Sequence, residues 1–227
     1  MSQSDERAHL SGDERSRRAG DEHSPAPDSG PDDRTADGRV PGDRVPDDPA
    51  PFPPFELARS ERIYASPWCG LRRDIVRVPG GAEREYHVFE VGEAVAVVPV
   101  LADGRVVLIG QYRYPHGRTH WEIPAGRLGE GEAPAAAAER ELSEETGHRC
   151  THLEALPGFY PTNGISAHYA HAFVAHGCEP AGAPRPDDTE QIVVKAFARA
   201  DVERLLDAGR IQDAFAAISL MYWLRRS

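Results

Sequence analysis

The stretch from Ala125 to His148, AGRLGEGEAPAAAAERELSEETGH, decides how the rest of the chain is interpreted. Proline suits the first turn of a helix, and glycine suits the left-handed residue just past its end. Pro134 and Gly147 therefore bracket a predicted helix over residues 134–146. One side of this helix carries small or apolar residues that favour close packing on a sheet: Ala135, Ala138 and Leu142.

The other side of the predicted helix is acidic. Residues three and four apart share a helix face, so Glu141, Glu144 and Glu145 point the same way. Like charges at this spacing destabilise an isolated helix by a few tenths of a kcal/mol per pair. Carboxylates are ligands that Mg²⁺ and Mn²⁺ prefer, so a bound divalent cation would neutralise the cluster. Taken alone, however, an acidic helix face is more typical of a solvated surface.

Apolar runs on both sides of the helix predict a mixed sheet. Strands are expected at 86–91, 94–100, 105–113 and 119–123, and after the helix at 167–176 and 190–198. Asp103-Gly104 between two of these runs is typical of a hairpin turn. Helical spacing returns near the C-terminus, at 200–209 and 211–222. The order of strands, helix, strands and helices predicts the α+β class, with helices on the faces of the sheet.

The spacing of the acidic stretch resembles the motif of the Nudix hydrolases. The matching positions are Gly126, Glu132 and the run from Arg140 to Gly147, and only the last motif position differs, where His148 replaces an aliphatic residue. The approach to this stretch, VVLIGQYRYPHGRTHWEIPAGRLGEGE, is similar to that of the ADP-ribose pyrophosphatase branch. The similarity extends from about Ile63 to the C-terminal helix. It implies an αβα sandwich with a mixed central sheet and a small N-terminal antiparallel β region.

Composition separates the first 54 residues from this domain. Residues 1–54 contain 13 acids against 7 arginines and almost no branched apolar residue, so we expect a disordered acidic tail. We expect the Nudix hydrolase domain over 55–227, divided into an N-terminal β region (55–92) and the catalytic fold (93–227).

The net charge and the cysteines bear on partners and compartment. The formal net charge of −11 gives no general attraction for nucleic acid or an anionic membrane. No apolar run has the length of a membrane span. The three cysteines form no C-x-x-C pair, which favours reduced thiols in a cytoplasmic protein.

The resemblance assigns chemistry to individual residues. It implies that the Ala125 carbonyl, Glu141 and Glu145 hold a metal ion, Mg²⁺ or alternatively Mn²⁺, with Glu144 completing the cluster. Arg140 and Glu132 are expected to hold the loop and the helix together. The general base of the branch is a loop glutamate after the helix, which implies Glu190, with Glu144 as the competing base and Asp187 and Asp188 nearby.

Two further residues are candidates for substrate binding. Arg113 matches a substrate-contacting arginine of the branch, and an arginine suits phosphate or base-edge recognition. Trp68 is a candidate for stacking on an adenine. For Trp68 the alternative is packing in the core or at a dimer interface.

The resemblance implies hydrolysis of a nucleoside diphosphate linked to another moiety, with ADP-ribose giving AMP and ribose 5-phosphate. The turn Thr162-Asn163-Gly164 departs from the branch, so other substrates such as GDP-mannose or NADH stay open. A non-catalytic nucleotide-sensing module is the alternative of a different class. The branch also implies a homodimer through strands of residues 63–92, and no nucleic-acid or membrane partner.

Overall fold

The strands of the central sheet lie before and after one helix along the chain, and two further helices follow the last strand. The structure, a computed structural model, describes residues 52–187 and 190–226. Its elements are β1 (Glu56–Ala65), β2 (Gly70–Arg77), β3 (Glu83–Glu90), β4 (Ala94–Leu101), β5 (Val106–Arg113), a 3₁₀ turn (Tyr114–His116), β6 (Arg118–Glu122), β7 (Ala125–Arg127), α1 (Pro134–Thr146), β8 (His148–Arg149), β9 (His152–Phe159), β10 (Ala170–Pro180), β11 (Ile192–Phe197), α2 (Arg199–Asp207) and α3 (Ala214–Arg226). The expected tail over 1–54 lies almost wholly outside the described residues.

The main sheet is mixed, as predicted. Its order is β11-β5-β4-β10-β8, with β6 beside β5, β7 beside β4 and β9 beside β10. β4 and β10 run parallel and pair Ala96 with Ala172 and Val98 with Val174. The remaining pairs are antiparallel. Parallel neighbours need a long crossover connection, and here that connection contains α1 and β9.

Strand β4 lies at the centre of the three layers because both of its faces are buried. Successive side chains of a strand point to opposite faces. Val95 and Val97 pack with α1 on one side, while Ala96 and Val98 pack with α2 and α3 on the other. The predicted αβα sandwich is therefore confirmed.

Helix α1 has the predicted bounds. Gly147 ends it with a φ of 68°, and its N–H donates to the carbonyl of Ser143 at 2.9 Å. The expectation that Ala135 packs on the sheet is wrong. Ala135 is exposed because burial begins further along the helix, at Ala137 and Ala138.

Strand β9 is absent from the sequence-based prediction. It contains Pro157 and Gly158, which weaken strand signals, but a strand that pairs along only one edge tolerates proline. The strand predicted at 167–176 runs instead over Ala170–Pro180. Ile211 is buried ahead of α3 rather than inside it. No helix among the described residues combines the length and the apolar character needed to cross a bilayer.

A separate three-stranded antiparallel sheet, β1-β2-β3, precedes the main sheet, as the resemblance implied. It contacts the loop between β9 and β10 at two points. The Tyr86 hydroxyl donates to the Gly164 carbonyl, and the Phe89 N–H donates to the Ile165 carbonyl, each at 2.8 Å. Along β1 every residue is exposed, including Leu57 and Ile63.

Neighbouring residues of α3 provide a test of this packing. Leu220 is fully buried between α3 and the sheet, whereas Met221 is 51% exposed. We expect Leu220→Ala to lower the free energy of unfolding by about 2–5 kcal/mol, because it leaves a cavity in the core. Met221→Ala is the matched control and should change it by less than about 1 kcal/mol. Urea denaturation measures both, and equal effects would contradict the placement of α3.

Candidate active site

Helix α1 directs two of its glutamates toward the sheet. Glu141 and Glu145 are buried, whereas Glu139 is exposed. Glu141 lies three residues after Ala138, and Glu145 lies three residues after Leu142, the two residues that pack on the sheet. The packing that fixes the helix therefore also buries the two carboxylates.

Glu145 lies against the start of β7. Its Oε2 accepts a hydrogen bond from the backbone N–H of Ala125 at 3.0 Å. The pKa of Glu145 is raised to about 9, chiefly by burial and also by the nearby carboxylates of Glu141 and Glu190, against the opposing effect of the Ala125 N–H. A buried carboxylate in such surroundings keeps its charge only with a positive neighbour.

Gly126 provides the space that the Glu141 carboxylate occupies. A Cβ at this position would lie 2.0 Å from Oε1 of Glu141, which is far inside van der Waals contact. Any side chain on residue 126 would therefore displace the carboxylate. Burial also raises the pKa of Glu141, although Arg140 opposes that shift.

Arg140 contacts every acid of the motif except Glu145. Its guanidinium donates to both oxygens of Glu132, at 2.9 and 3.0 Å, to Glu141 at 2.6 Å and to Glu144 at 3.0 Å. It also donates to the Arg127 carbonyl at 3.0 Å. The hydrogen bond from Arg140, followed by that from the Gly129 N–H, lowers the pKa of Glu132 to about 2. One arginine thus joins the loop before α1 to the acids on the helix.

The three acids expected at a metal ion are neighbours, but each engages a protein donor. Glu141 and Glu144 accept from Arg140, and Glu145 accepts from the Ala125 N–H. Within residues 52–187 and 190–226, no three His, Cys, Asp or Glu side chains converge as a ready set of metal ligands.

Arg113 forms a bidentate ion pair with Glu122. The two residues end strands β5 and β6, and the guanidinium donates to Oε1 at 3.0 Å and to Oε2 at 2.5 Å. Glu122 is buried, while the Arg113 side chain is 41% exposed. The sequence-based interpretation missed Glu122. Its signal was an acid between the apolar Trp121 and Ile123 within a predicted strand.

Trp68 lies at the surface, so the alternative that it packs in the core is wrong. It is 68% exposed. The Arg127 guanidinium lies 5.1 Å from its ring centroid, a cation–π distance, and donates to the Trp68 carbonyl at 2.8 Å. Arg127 follows Gly126 directly in the chain. Sequence reasoning missed Arg127, because the contact joins elements far apart in the chain.

Glu190 is half-buried on the loop that precedes β11. Its Oε2 accepts from the Asp187 N–H at 2.9 Å, and its own N–H donates to the Asp187 carbonyl at 2.8 Å. These two bonds fix the carboxylate relative to its loop. Asp188, named above as a neighbouring acid, lies outside the described residues.

Most of the predicted site residues line one cleft of about 400 Å³, a size typical of small-molecule sites. Ala125 adjoins it through its bond to Glu145. Arg185, not identified from the sequence, also borders the cleft, and its N–H donates to the Glu144 carbonyl at 2.6 Å. The lining residues are Trp68, Arg113, Gly126, Arg127, Arg140, Glu141, Glu144, Glu145, Arg185, Asp187 and Glu190.

Family models match both parts of the described chain. The model described as the NUDIX domain matches residues 91–217. The model described as the nucleoside diphosphate sugar hydrolase N-terminal domain matches residues 56–89. The first contains the whole acidic motif, and the second contains the three-stranded sheet except for Glu90, the last residue of β3.

Similar proteins cover most of the chain. An ADP-ribose pyrophosphatase of Bacillus subtilis (strain 168) is 31% identical over 71% of this chain and 88% of its own length. An ADP-ribose pyrophosphatase of Mycobacterium tuberculosis (strain ATCC 25618 / H37Rv) is 32% identical over 74% of this chain and 82% of its own. A crystal structure of an ADP compounds hydrolase superposes with a TM-score of 0.69 at 21% identity, covering 78% of this chain and 98% of that one, which shows the same fold. With the match over residues 91–217, these similarities establish that the chain belongs to the Nudix hydrolase family.

Proposed function

We propose that this protein hydrolyses the diphosphate bond of ADP-ribose to give AMP and ribose 5-phosphate. The observation that carries the proposal is the convergence of the motif acids, Glu190 and Arg113 on one cleft beside the exposed Trp68. The names of the two bacterial relatives support ADP-ribose as the substrate. The match to a nucleoside diphosphate sugar hydrolase N-terminal domain supports the wider substrate class.

Nudix hydrolases use divalent metal ions, and we assign Mg²⁺ here, with Mn²⁺ as the alternative. The cleft fits such an ion because Gly126 lets the Glu141 carboxylate approach the backbone of the loop and because Glu145 is a buried acid with acidic neighbours. The Ala125 carbonyl, Glu141 and Glu145 would hold the ion, and Glu144 would complete the set. When bound, the ion neutralises the diphosphate and lowers the pKa of water.

The arginines and Trp68 then orient the substrate. Arg140 fixes the directions of the Glu141 and Glu144 carboxylates through its charged hydrogen bonds. Arg113 is held by Glu122, and its partly exposed side chain lines the cleft, where it binds a phosphate oxygen. Trp68 offers an exposed ring on which the adenine stacks. Such positioning lowers the barrier by removing the entropy cost of orientation.

Glu190 serves as the general base in this proposal. It lies in the same cleft as Glu141 and Glu145, and its charge raises the pKa of both. The motif acids are engaged in metal binding, so a carboxylate from another element is better placed to accept the proton of the attacking water. Glu144 is the competing base, since its side chain is 41% exposed.

A substrate panel tests the reaction. Purified protein with Mg²⁺ or Mn²⁺ is assayed on ADP-ribose, GDP-mannose and NADH, with product identified by mass. Release of AMP and ribose 5-phosphate at the highest kcat/KM supports the proposal. Faster turnover of another compound would reassign the substrate. Tight binding of ADP-ribose without turnover would point instead to a nucleotide-sensing module.

Three further assignments belong to the same proposal. Residues 55–227 form the functional unit, with 55–92 as the N-terminal β region and 93–227 as the catalytic fold. The protein acts as a homodimer through the three-stranded sheet, a role supported by the exposed Leu57, Ile63 and Tyr64 of β1. Its compartment is the cytoplasm, in keeping with three unpaired cysteines, Cys69, Cys150 and Cys178.

The first prediction concerns the metal. Glu145→Gln should lower turnover by more than about 100-fold, because even groups outside the coordination sphere are worth about 10–100-fold. Mg²⁺ affinity measured by titration calorimetry should fall with it. The melting temperature should stay equal or rise, since the variant removes a buried acid. Glu139→Gln on the exposed side of α1 is the control. Unchanged metal affinity in Glu145→Gln would contradict the assignment.

The second prediction concerns the base. Glu190→Gln preserves the size of the side chain but removes the proton acceptor, so kcat should fall by about 10²–10⁴-fold. KM and metal affinity should change much less. Glu179→Gln, a change of an exposed acid at the end of β10, is the control. A decrease of only a few-fold would transfer the role to Glu144.

The third prediction concerns assembly. Light scattering should give a mass of twice the 24.8 kDa of one chain at micromolar concentration. Ile63→Asp places a charge on the exposed face of β1 and should shift the protein to monomer. Val193→Asp, at a 64% exposed position of β11, should leave the mass unchanged. A monomeric parent protein would rule out the dimer.

A further inference from the structure

The segment that leads from β10 toward Glu190 is pinned to the C-terminal end of α1. The N–H groups of Ala181 and Gly182 both donate to the Gly147 carbonyl, at 2.7 and 3.1 Å. The two backbones approach closely, because a Cβ on residue 147 would lie 2.4 Å from the Gly182 carbonyl oxygen. Gly147 therefore ends the helix and also receives this segment.

Arg185 lies in the same segment between two prolines, in the sequence Pro184-Arg185-Pro186. Proline fixes its own φ, and a residue that precedes proline is restricted to extended conformations, so this tripeptide has little backbone freedom. Its only backbone N–H belongs to Arg185 and donates to the Glu144 carbonyl at 2.6 Å. The backbone of Arg185 is therefore held in place beside the last turn of α1.

The side chain of Arg185 is a cation without a carboxylate partner. It is exposed, and Arg185 lines the catalytic cleft together with the acids Glu144, Asp187 and Glu190. Within residues 52–187 and 190–226, no carboxylate accepts a hydrogen bond from its guanidinium or forms an ion pair with it. A guanidinium carries five N–H donors and keeps its charge in proteins, so these donors are available to an anionic ligand.

The other three arginines that line the cleft are already engaged. Arg140 donates to the acids of the motif, Arg113 donates to the buried Glu122, and Arg127 donates to a backbone carbonyl. These bonds hold the three guanidinium groups in place and occupy some of their donors. Arg185 combines a fixed backbone with an unengaged guanidinium, so binding an anion breaks no ion pair with the described residues and orders few further bonds.

The ligand that this group fits is a diphosphate. Phosphate oxygens match the planar fork of a guanidinium and accept two parallel hydrogen bonds from it. Arg185 enters the cleft from the segment ahead of β11, whereas Arg113 enters from the end of β5. A diphosphate in the cleft is therefore within the surroundings of two arginines from separate elements.

The charge of the diphosphate changes during hydrolysis. Water adds to one phosphorus and gives its proton to Glu190, while the bridging oxygen leaves with the electron pair of the broken P–O bond. A positioned cation stabilises this developing charge more than the charge of the bound substrate. Building on the proposed function, we propose that Arg185 is a catalytic arginine that binds the diphosphate and stabilises the charge on the leaving phosphate.

The test compares Arg185→Ala and Arg185→Lys with the parent protein on the compound of the substrate panel that it cleaves fastest. Arg149→Ala, at a 70% exposed arginine just after α1, is the matched control and should behave as the parent. We expect kcat of Arg185→Ala to fall about 100-fold, by more than KM rises, as for the loss of one positioned donor. Arg185→Lys keeps the charge without the fork and should recover part of the loss.

Added guanidinium chloride separates a chemical role of Arg185 from a structural one. At a non-denaturing concentration it should restore part of the kcat of Arg185→Ala, and sodium chloride at the same concentration should not. The melting temperature of Arg185→Ala should equal that of the parent, because the variant keeps the N–H that bonds to Glu144. An unchanged kcat, a loss confined to KM, or a loss that neither guanidinium nor lysine relieves would overturn the proposal.

Calorimetric titration with inorganic diphosphate and Mg²⁺ tests the contact without turnover. Arg185→Ala should bind inorganic diphosphate about tenfold more weakly than the parent, the effect of a lost charged hydrogen bond, and Arg149→Ala should bind it equally well. Equal affinities of Arg185→Ala and the parent would overturn the proposal. A parent protein that cleaves no compound of the panel would refute the proposed reaction instead, and weaker diphosphate binding by Arg185→Ala would then still support the contact.

Discussion

Two carboxylates buried where a helix meets a sheet are the constraint on which this fold depends. Glu141 and Glu145 lose hydration when α1 packs, and this burial is the largest cause that raises the pKa of each. Three neighbouring groups offset this loss of hydration. Gly126 leaves space for the Glu141 carboxylate, the Ala125 N–H donates to Glu145, and the Arg140 guanidinium donates to Glu141. The loop, β7 and α1 must therefore form as one unit.

The parts of the fold that could be predicted from the sequence are those set by local signals. Pro134 and Gly147 bracket α1 because their backbone preferences act on adjacent residues. The Asp103-Gly104 turn between β4 and β5 is of the same kind, with the Gly104 N–H donating to the Leu101 carbonyl. β9 could not be predicted, since it exists only through pairing with β10, a strand that begins more than ten residues later.

The residues of the candidate site likewise fall into those that local signals predict and those that depend on distant contacts. The motif acids follow a fixed spacing along one helix, so their convergence is visible in the sequence. The roles of Glu122 and Arg127 are not visible in the sequence, because each residue contacts a partner on another element. Arg113 was identified as a residue facing the substrate, but its orientation depends on the register between β5 and β6, and no local pattern encodes that register.

The contact between Arg127 and Trp68 has a thermodynamic consequence. Arg127 lies next to Gly126, whose backbone borders the Glu141 carboxylate, and its other end is bound to the ring and carbonyl of Trp68. A molecule that shifts Trp68 on stacking would therefore act, through Arg127, on the backbone beside Glu141. The coupling free energy between two sites linked in this way is the same whichever ligand binds first. A base bound at the Trp68 ring would change the affinity of the acids for a cation, and the cation would change the affinity of the ring for the base by the same factor.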